Sequence, residues 1–118
     1  MDILALRDYC LSLKGSNEST PFGPDTLVFK VYDKMYCACD ISNFVSFNLK
    51  ALPEDVIDRR ERYISVHPGY HMSKKHWITV ESDHPEISDE LRKSWIKESY
   101  ELVKAGLPKK KRQQLDEE

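Results

Sequence analysis

The sequence predicts an α+β domain in which an antiparallel sheet is covered by helices, and three observations carry that prediction. Apolar residues alternate with a period of two through Leu27, Phe29 and Val31 and again through Phe47 and Leu49, as a strand with one buried face requires. Both ends of the chain instead repeat their apolar residues at helical spacing, and turn residues separate the runs. With 118 residues, 40% of them hydrophobic, the chain buries roughly two-thirds of its unfolded surface in one core. A single domain over residues 1–118 follows, with a three-stranded meander, one or two further strands, an N-terminal helix, a short middle helix and a long C-terminal helix.

Each element has its own signal. Asp2 is an acceptable N-cap, and Ile3, Leu6, Cys10 and Leu13, widened by Leu4 and Leu11, form the stripe of the first helix, which Gly15 closes. Residues 15–25 are rich in Ser, Asn, Thr, Pro and Gly, so they read as a structured loop with a rigid turn at Pro21-Phe22-Gly23-Pro24. Leu27, Phe29 and Val31 then face one way while Lys30 and Tyr32 face the other. Asp33-Lys34 is a plausible hairpin turn, although the preferred glycine is absent. Met35, Cys37, Cys39 and Ile41 form a second alternating face, Ser42-Asn43 a second turn, and Val45, Phe47 and Leu49 a third strand.

Pro53 suits a first helical turn, and Glu54 and Asp55 complement the dipole of a short helix reaching about Arg62, with Leu52, Val56 and Ile57 toward the core. Val66 to Val80 supplies a turn centred on Pro68-Gly69 and a strand through Trp77, Ile78 and Val80. Ser88 caps the last long helix, whose broad face holds Leu91, Trp95, Ile96, Leu102 and Val103 with Tyr100 at its edge. Gly106-Leu107-Pro108 stops it. Residues 109–118 either form one more short helix or fray as a charged tail.

Composition narrows the function classes. The net charge of −2 argues against the whole-surface basic field of a strong non-specific nucleic-acid binder, so any such binding needs a local patch. No apolar run approaches the ~20 residues of a membrane helix, and the chain opens directly into an amphipathic pattern, so a cytoplasmic protein without membrane contact is expected. Three cysteines, an odd count, fit a reducing compartment better than a disulfide framework.

Four ordered motifs are more specific. They are Pro21-Phe22-Gly23-Pro24-Asp25-Thr26-Leu27-Val28-Phe29-Lys30-Val31, Phe47-Asn48-Leu49-Lys50, Pro68-Gly69-Tyr70-His71-Met72-Ser73-Lys74-Lys75-His76-Trp77 and Leu107-Pro108-Lys109-Lys110. In this order they resemble the MmcQ/YjbR family over nearly the whole chain, with Pro21, Phe22, Gly23, Pro68, Gly69, His71 and Trp77 as the motif's turn residues. The sequence differs from the family pattern at Ser73, where Asn is common, and near Glu98, where His is common. The resemblance implies an antiparallel sheet covered by helices, likened to type III secretion chaperones and frataxin-like domains. It also implies a double-wing mode of DNA binding.

The chemical constellations point to binding rather than catalysis. His67, His71 and His76 cluster in sequence, but Pro68-Gly69 interrupts the helix that would align an i, i+4 pair, and no acidic or cysteine ligand lies inside the stretch. Structural histidines, no metal and no cofactor are expected. Cys37 and Cys39 read as small buried hydrophobes, and Trp77 and Trp95 as core residues. No nucleophile elbow and no glycine-rich phosphate loop is present, so an enzyme is not expected.

Charge is unevenly placed. Between Leu91 and Arg112 eight cations (Arg92, Lys93, Lys97, Lys104, Lys109, Lys110, Lys111 and Arg112) face only Glu98 and Glu101, a net of +6, and the acids from Glu81 to Glu90 precede them. The sequence therefore nominates Lys74, Lys75, His76, Lys109, Lys110, Lys111 and Arg112 as contacts to a nucleic acid, held through phosphates by a monomer. The alternative is a protein partner, a peptide received on the sheet by a chaperone-like module. A sheet face left uncovered by helices favours the second, a contiguous positive surface the first.

Overall fold

In the computed structural model, which describes residues 1–117, the chain runs α1 (Ile3–Ser12), β1 (Ser16–Ser19), β2 (Thr26–Val31), β3 (Lys34–Asp40), β4 (Ser46–Lys50), α2 (Pro53–Arg62), β5 (Val66–Pro68), β6 (Trp77–Glu81), α3 (Asp89–Ala105) and α4 (Lys109–Glu117). The six strands make one antiparallel sheet in the order β1-β2-β3-β4-β6-β5. Helix α3 lies over β3 and β4, α1 beside β1, and α2 beside β5 and β6. All the expected helices and the meander are present.

The pleat sorts the strands into two faces. Leu27, Phe29, Cys37, Cys39, Phe47, Leu49, Ile78 and Val80 point to the helices and join Leu6, Cys10, Trp95, Ile96 and Tyr100 in the core. The opposite face carries Thr26, Val28, Ala38, Asp40, Ser46, Asn48 and Thr79, and among the described residues no helix covers it.

Several expectations need correction. Part of the loop over residues 15–25 is an edge strand, β1, whose four polar residues Ser16–Ser19 carry no alternating apolar signal because they pair at the margin of the sheet. The β2–β3 turn sits one residue earlier than Asp33-Lys34: Tyr32 and Asp33 occupy it at φ 45° and 64°, the left-handed pair that a two-residue type I′ hairpin demands. The register then shifts between Phe29 and Lys30, so that Phe29 opposes Cys37 and Lys30 opposes Met35. Tyr36 is the extra residue of this bulge. Met35 consequently leaves the face of Cys37 and Cys39, while Ile41 is exposed beyond the strand end.

The bulge has a partner in α3. After the Cys37–Leu49 pair the next ladder position would join Tyr36 to Lys50, and the Ser99 hydroxyl occupies that place instead. It donates to the Tyr36 carbonyl at 2.6 Å and accepts from the Lys50 amide at 2.9 Å. A fully buried serine on a helix stripe is thus the pin between helix and sheet.

The helices hold their caps but rotate relative to the expected stripes. Asp2 and Ser88 cap α1 and α3 through Ala5 and Leu91 amides. Leu4, Leu11, Leu52 and Ile57 are exposed; Leu91 and Leu102 are only half-buried, while Arg92 and Ser99 are buried in their place. Gly106 ends α3 at φ −83°, a right-handed residue, so its freedom to turn left-handed is not used. Residues 109–117 take the helical alternative, because Leu115 is fully buried and its Cδ1 lies 2.5 Å from where a Cβ on Gly15 would sit. Gly15 at φ 75° admits the close approach of α4. Glu118 lies outside the described residues.

Candidate functional site

Two connections flank the uncovered face, and both belong to the sequence motifs. The β1–β2 connection turns twice: the Gly23 amide donates to the Thr20 carbonyl, with Pro21 at the position whose φ it presets, and the Thr26 amide donates to the Gly23 carbonyl. Gly23 at φ 112° supplies a conformation that side chains resist. Asp25 ties this connection to the β3–β4 turn, accepting from the Ser42 hydroxyl at 2.6 Å and the Ile41 amide at 2.8 Å. Phe22, 70% exposed, projects from its tip.

The β5–β6 connection forms the other wall. Its turn falls at Tyr70-His71 and not at Pro68-Gly69, since Pro68 is still paired to Ile78 as the last residue of β5. Gly69 serves close approach and not a positive φ: a Cβ there would lie 2.7 Å from the Trp77 Cβ and 3.0 Å from its carbonyl oxygen. Trp77 is therefore half-buried under the connection, on the uncovered face and outside the core where periodicity placed it. The Lys74 ammonium donates to the Gly69 carbonyl at 2.8 Å, and the Tyr70 amide to the Thr79 hydroxyl at 3.1 Å. Thr79 passes the bond on to the Asn48 side-chain amide oxygen Oδ1 at 2.5 Å, fastening the connection to the middle of the sheet.

Between these walls lies a cavity of about 410 Å³, within the range of small-ligand sites. Its floor is Thr26, Ala38, Asp40, Ser46 and Asn48, and its sides are Phe22, Tyr70, His71 and Met72. His71 sits at φ 57°, with its ring 4.0 Å from that of Tyr70. Asp40 holds the Asn43 amide at 3.2 Å with one oxygen.

The histidines do not converge. His67 Nε2 lies 2.7 Å from the Glu81 carboxylate, His71 lines the cavity, and the His76 carbonyl accepts from the Ala51 amide. Among the described residues no group of three or more His, Cys, Asp or Glu is placed to hold a metal ion. Cys10, Cys37 and Cys39 are free and buried on the helix side. Burial pushes the Cys37 thiol well up and that of Cys39 up to about 12. Native protein should accordingly react slowly with a thiol-disulfide reagent at neutral pH and titrate all its thiols after unfolding; rapid native reaction at Cys37 or Cys39 would contradict their burial.

The nominated cations are brought to one end of the sheet. The Ala51 amide donates to the His76 carbonyl and Lys50 pairs with Trp77, so the connection that carries Lys74 and Lys75 enters β6 at the Lys50 end of β4. Lys34 and Lys50 line a cleft with Gly106, two residues before Pro108. Lys109 to Arg112 are exposed on the first turn of α4, where the Lys111 ammonium lies 6.0 Å from the Tyr32 ring in the β2–β3 turn. Sequence reasoning missed the connecting residues Lys34 and Lys50, although lysines beside a turn and at a strand end were visible signals. It also missed Tyr70 and Asn48, which line the cavity, and Thr79, whose hydroxyl links the two.

The opposite end is acidic. Asp40, Glu81, Asp83, Glu86, Asp89 and Glu90 lie toward the end where β3 and β6 finish and α3 begins, and Arg92 is buried there beside Asp89. Glu86 is held below the usual carboxylate range mainly by its hydrogen bond to Ser65, and Asp89 chiefly by the terminal ammonium, with a further contribution from Arg92.

A helix-backed antiparallel sheet with a loop-walled groove on its free face and charges of opposite sign at its two ends is an open-faced α+β domain. The YjbR family model matches residues 11–102, and the chain belongs to that family. It is 42% identical to the protein YbdF of Escherichia coli O157:H7 over 91 residues, 76% of this chain and 74% of that one. It is 37% identical to YyaQ of Bacillus subtilis (strain 168) over 57 residues, 48% of this chain and 47% of that one. Among solved structures, the Deinococcus radiodurans protein DR2400, with a DUF419 domain, superposes with a TM-score of 0.87 at 39% identity, covering 97% of this chain and 87% of that one. A Pseudomonas syringae protein superposes with a TM-score of 0.75 at 28% identity, covering 87% and 99%.

Proposed function

We propose that this is a cytoplasmic binding protein, not an enzyme, that engages duplex DNA through phosphate contacts at the basic end of its sheet. The observation that supports it is that two lysine groups distant in sequence lie toward the same end of the sheet, Lys74-Lys75 just before β6 and Lys109 to Arg112 beside the β2–β3 turn, with Lys34 and Lys50 at the strand ends there. Among the described residues no ion pair engages Lys34, Lys50, Lys75 or Lys109 to Arg112. Three lysines in the first turn of α4 oppose its dipole, a local cost of about 0.3–1 kcal/mol each that an anion would relieve. Lys74 contributes less than its neighbour, since its ammonium is held by Gly69.

Salt dependence tests the reading. Neutralising about 4–6 phosphates gives a log-log slope of affinity against salt of roughly −4 to −5. Replacing Lys109, Lys110, Lys111 and Arg112 together by Gln should flatten that slope by about 3 and weaken binding equally on unrelated sequences, because phosphate contacts position without specifying. The fold should survive, since these side chains are exposed and Gln is a good helix former, with Leu115 still anchoring α4. No measurable affinity for any duplex at ~50 mM salt would overturn the proposal.

A second reading, a protein partner that adds a peptide to the free sheet face, is favoured by the exposure of Phe22 and Tyr70 beside that face. Partner retention after nuclease treatment in a low-salt pull-down would select it.

A further inference from the structure

The groove on the free sheet face reaches Asp40 at the acidic end of the sheet, and its lining is chemically unlike the lysine end. We propose that it is a separate site for a small organic cation, an ammonium carried on an apolar, preferably aromatic, body. Three features select that ligand. Among the described residues Asp40 is the one carboxylate on the cavity wall, and neither Lys nor Arg lines it. Asn43 occupies one Asp40 oxygen and leaves the other for a cation. Phe22 and Tyr70 stand 70% and 67% exposed on opposite walls, and aromatic faces attract cations through their quadrupoles while taking up apolar surface.

The surroundings reinforce the sign. The nearest ammonium on the walling connection, that of Lys74, is turned back to the Gly69 carbonyl, and Glu81 lies at the end of β6 opposite Ser46 on the cavity floor. Ser46 and Thr26 add hydroxyl oxygens that accept from an ammonium, and Ala38 leaves room for the apolar body. A volume of about 410 Å³ suits a small molecule better than a folded partner. The Tyr70–Thr79–Asn48 hydrogen-bond chain fixes one wall before any ligand arrives, which lowers the ordering cost of binding.

Two probes of matched shape and opposite charge test the proposal: tryptamine and indole-3-propionate, each titrated into uniformly 15N-labelled protein while amide shifts are followed. Tryptamine should shift the amides of Thr26, Ser46 and Tyr70 to Met72 saturably, and indole-3-propionate should bind at least about tenfold more weakly. Asp40→Asn keeps the acceptor for the Asn43 amide and should weaken tryptamine about five- to tenfold; Phe22→Ala, at an exposed tip, should weaken both probes by a similar factor. Unchanged melting temperatures for both variants separate lost binding from lost fold. Equal binding of the two probes, shifts confined to other amides, indifference to Asp40→Asn, or no saturable shift up to about 10 mM would each overturn the proposal. So would a lysine-containing extended peptide binding more than about tenfold tighter than tryptamine at the same amides, since the occupant would then be a polypeptide. Duplex DNA should leave the amides of Thr26 and Ser46 unmoved, since neither lies on a connection that carries the nominated lysines, so failure here and failure of the DNA reading are distinguishable.

Discussion

Replacing Arg92 by Met is expected to lower the unfolding free energy by about 3–5 kcal/mol, one of the two largest effects that a single substitution should have in this chain. The guanidinium is 3% exposed on the first turns of α3 and donates to three backbone carbonyls, those of Glu81 at 3.1 Å, Ile87 at 2.8 Å and His84 at 2.7 Å. It also meets the Asp89 carboxylate at 3.0 Å. A methionine fills much the same volume and satisfies none of these acceptors, and each buried orphan costs on the order of 1–3 kcal/mol before water reaches it. Arg92→Lys should recover little, because a point charge with one head cannot fan out to three separate carbonyls. Denaturant melts check this. A loss below about 1 kcal/mol for Arg92→Met would mean that the connection from Glu81 to Ser88 holds its course without the guanidinium.

Arg92 also shows where the sequence stops being legible. At residue 92 a charged side chain sits on the buried stripe of a helix, and periodicity assigned that stripe to Leu91 and Leu102 instead. Hydropathy cannot see that the loop before α3 turns its carbonyls inward, so it cannot see why arginine belongs there. Ser99 is hidden for the same reason: its place follows from the Tyr36 bulge, a register event that needs both strands and the helix at once. By contrast Leu27, Phe29, Phe47 and Leu49 were readable because period two and burial coincide along a half-covered sheet. β1 was not, since Ser16–Ser19 present polar side chains throughout and only their backbone groups join the sheet.

The candidate site divides in the same way. The motif turns could be found as turns, and their glycines as constraints, but the reason for Gly69 is the backbone of Trp77 beneath it and not the φ that a Pro-Gly pair suggests. The lysine groups were visible as charges. What joins them, Lys34 and Lys50, depends on β3 and β4 being neighbours and on α3 ending against them. The groove itself had no sequence signal, because its walls come from two connections nearly fifty residues apart and its floor from the polar half of three strands.

Trp95→Ala should cost about 3–5 kcal/mol in a denaturant melt, the range for deleting a buried large aromatic and leaving a cavity behind. Trp95 is 5% exposed on α3 and meets α2 through Tyr63 and Arg59. Tyr63, at the end of α2, meets the indole edge-on, with centroids 5.4 Å apart and planes at 69°. The Arg59 guanidinium lies 4.7 Å from the indole centroid and reaches on to the Glu98 carboxylate at 2.6 Å. Removing the ring therefore leaves Tyr63 facing a void and Arg59 with one partner where it had two. Trp95→Phe should lose distinctly less, because a smaller ring still fills part of the space, whereas Arg59→Ala alone should cost only about 1–2 kcal/mol. A double-mutant cycle between Trp95→Phe and Arg59→Ala should return a coupling of about 0.5–1 kcal/mol from the cation–π contact. A loss below about 1 kcal/mol for Trp95→Ala would show that α2 is held to the sheet through Val56 and its own strand contacts, with the α2–α3 seam contributing little.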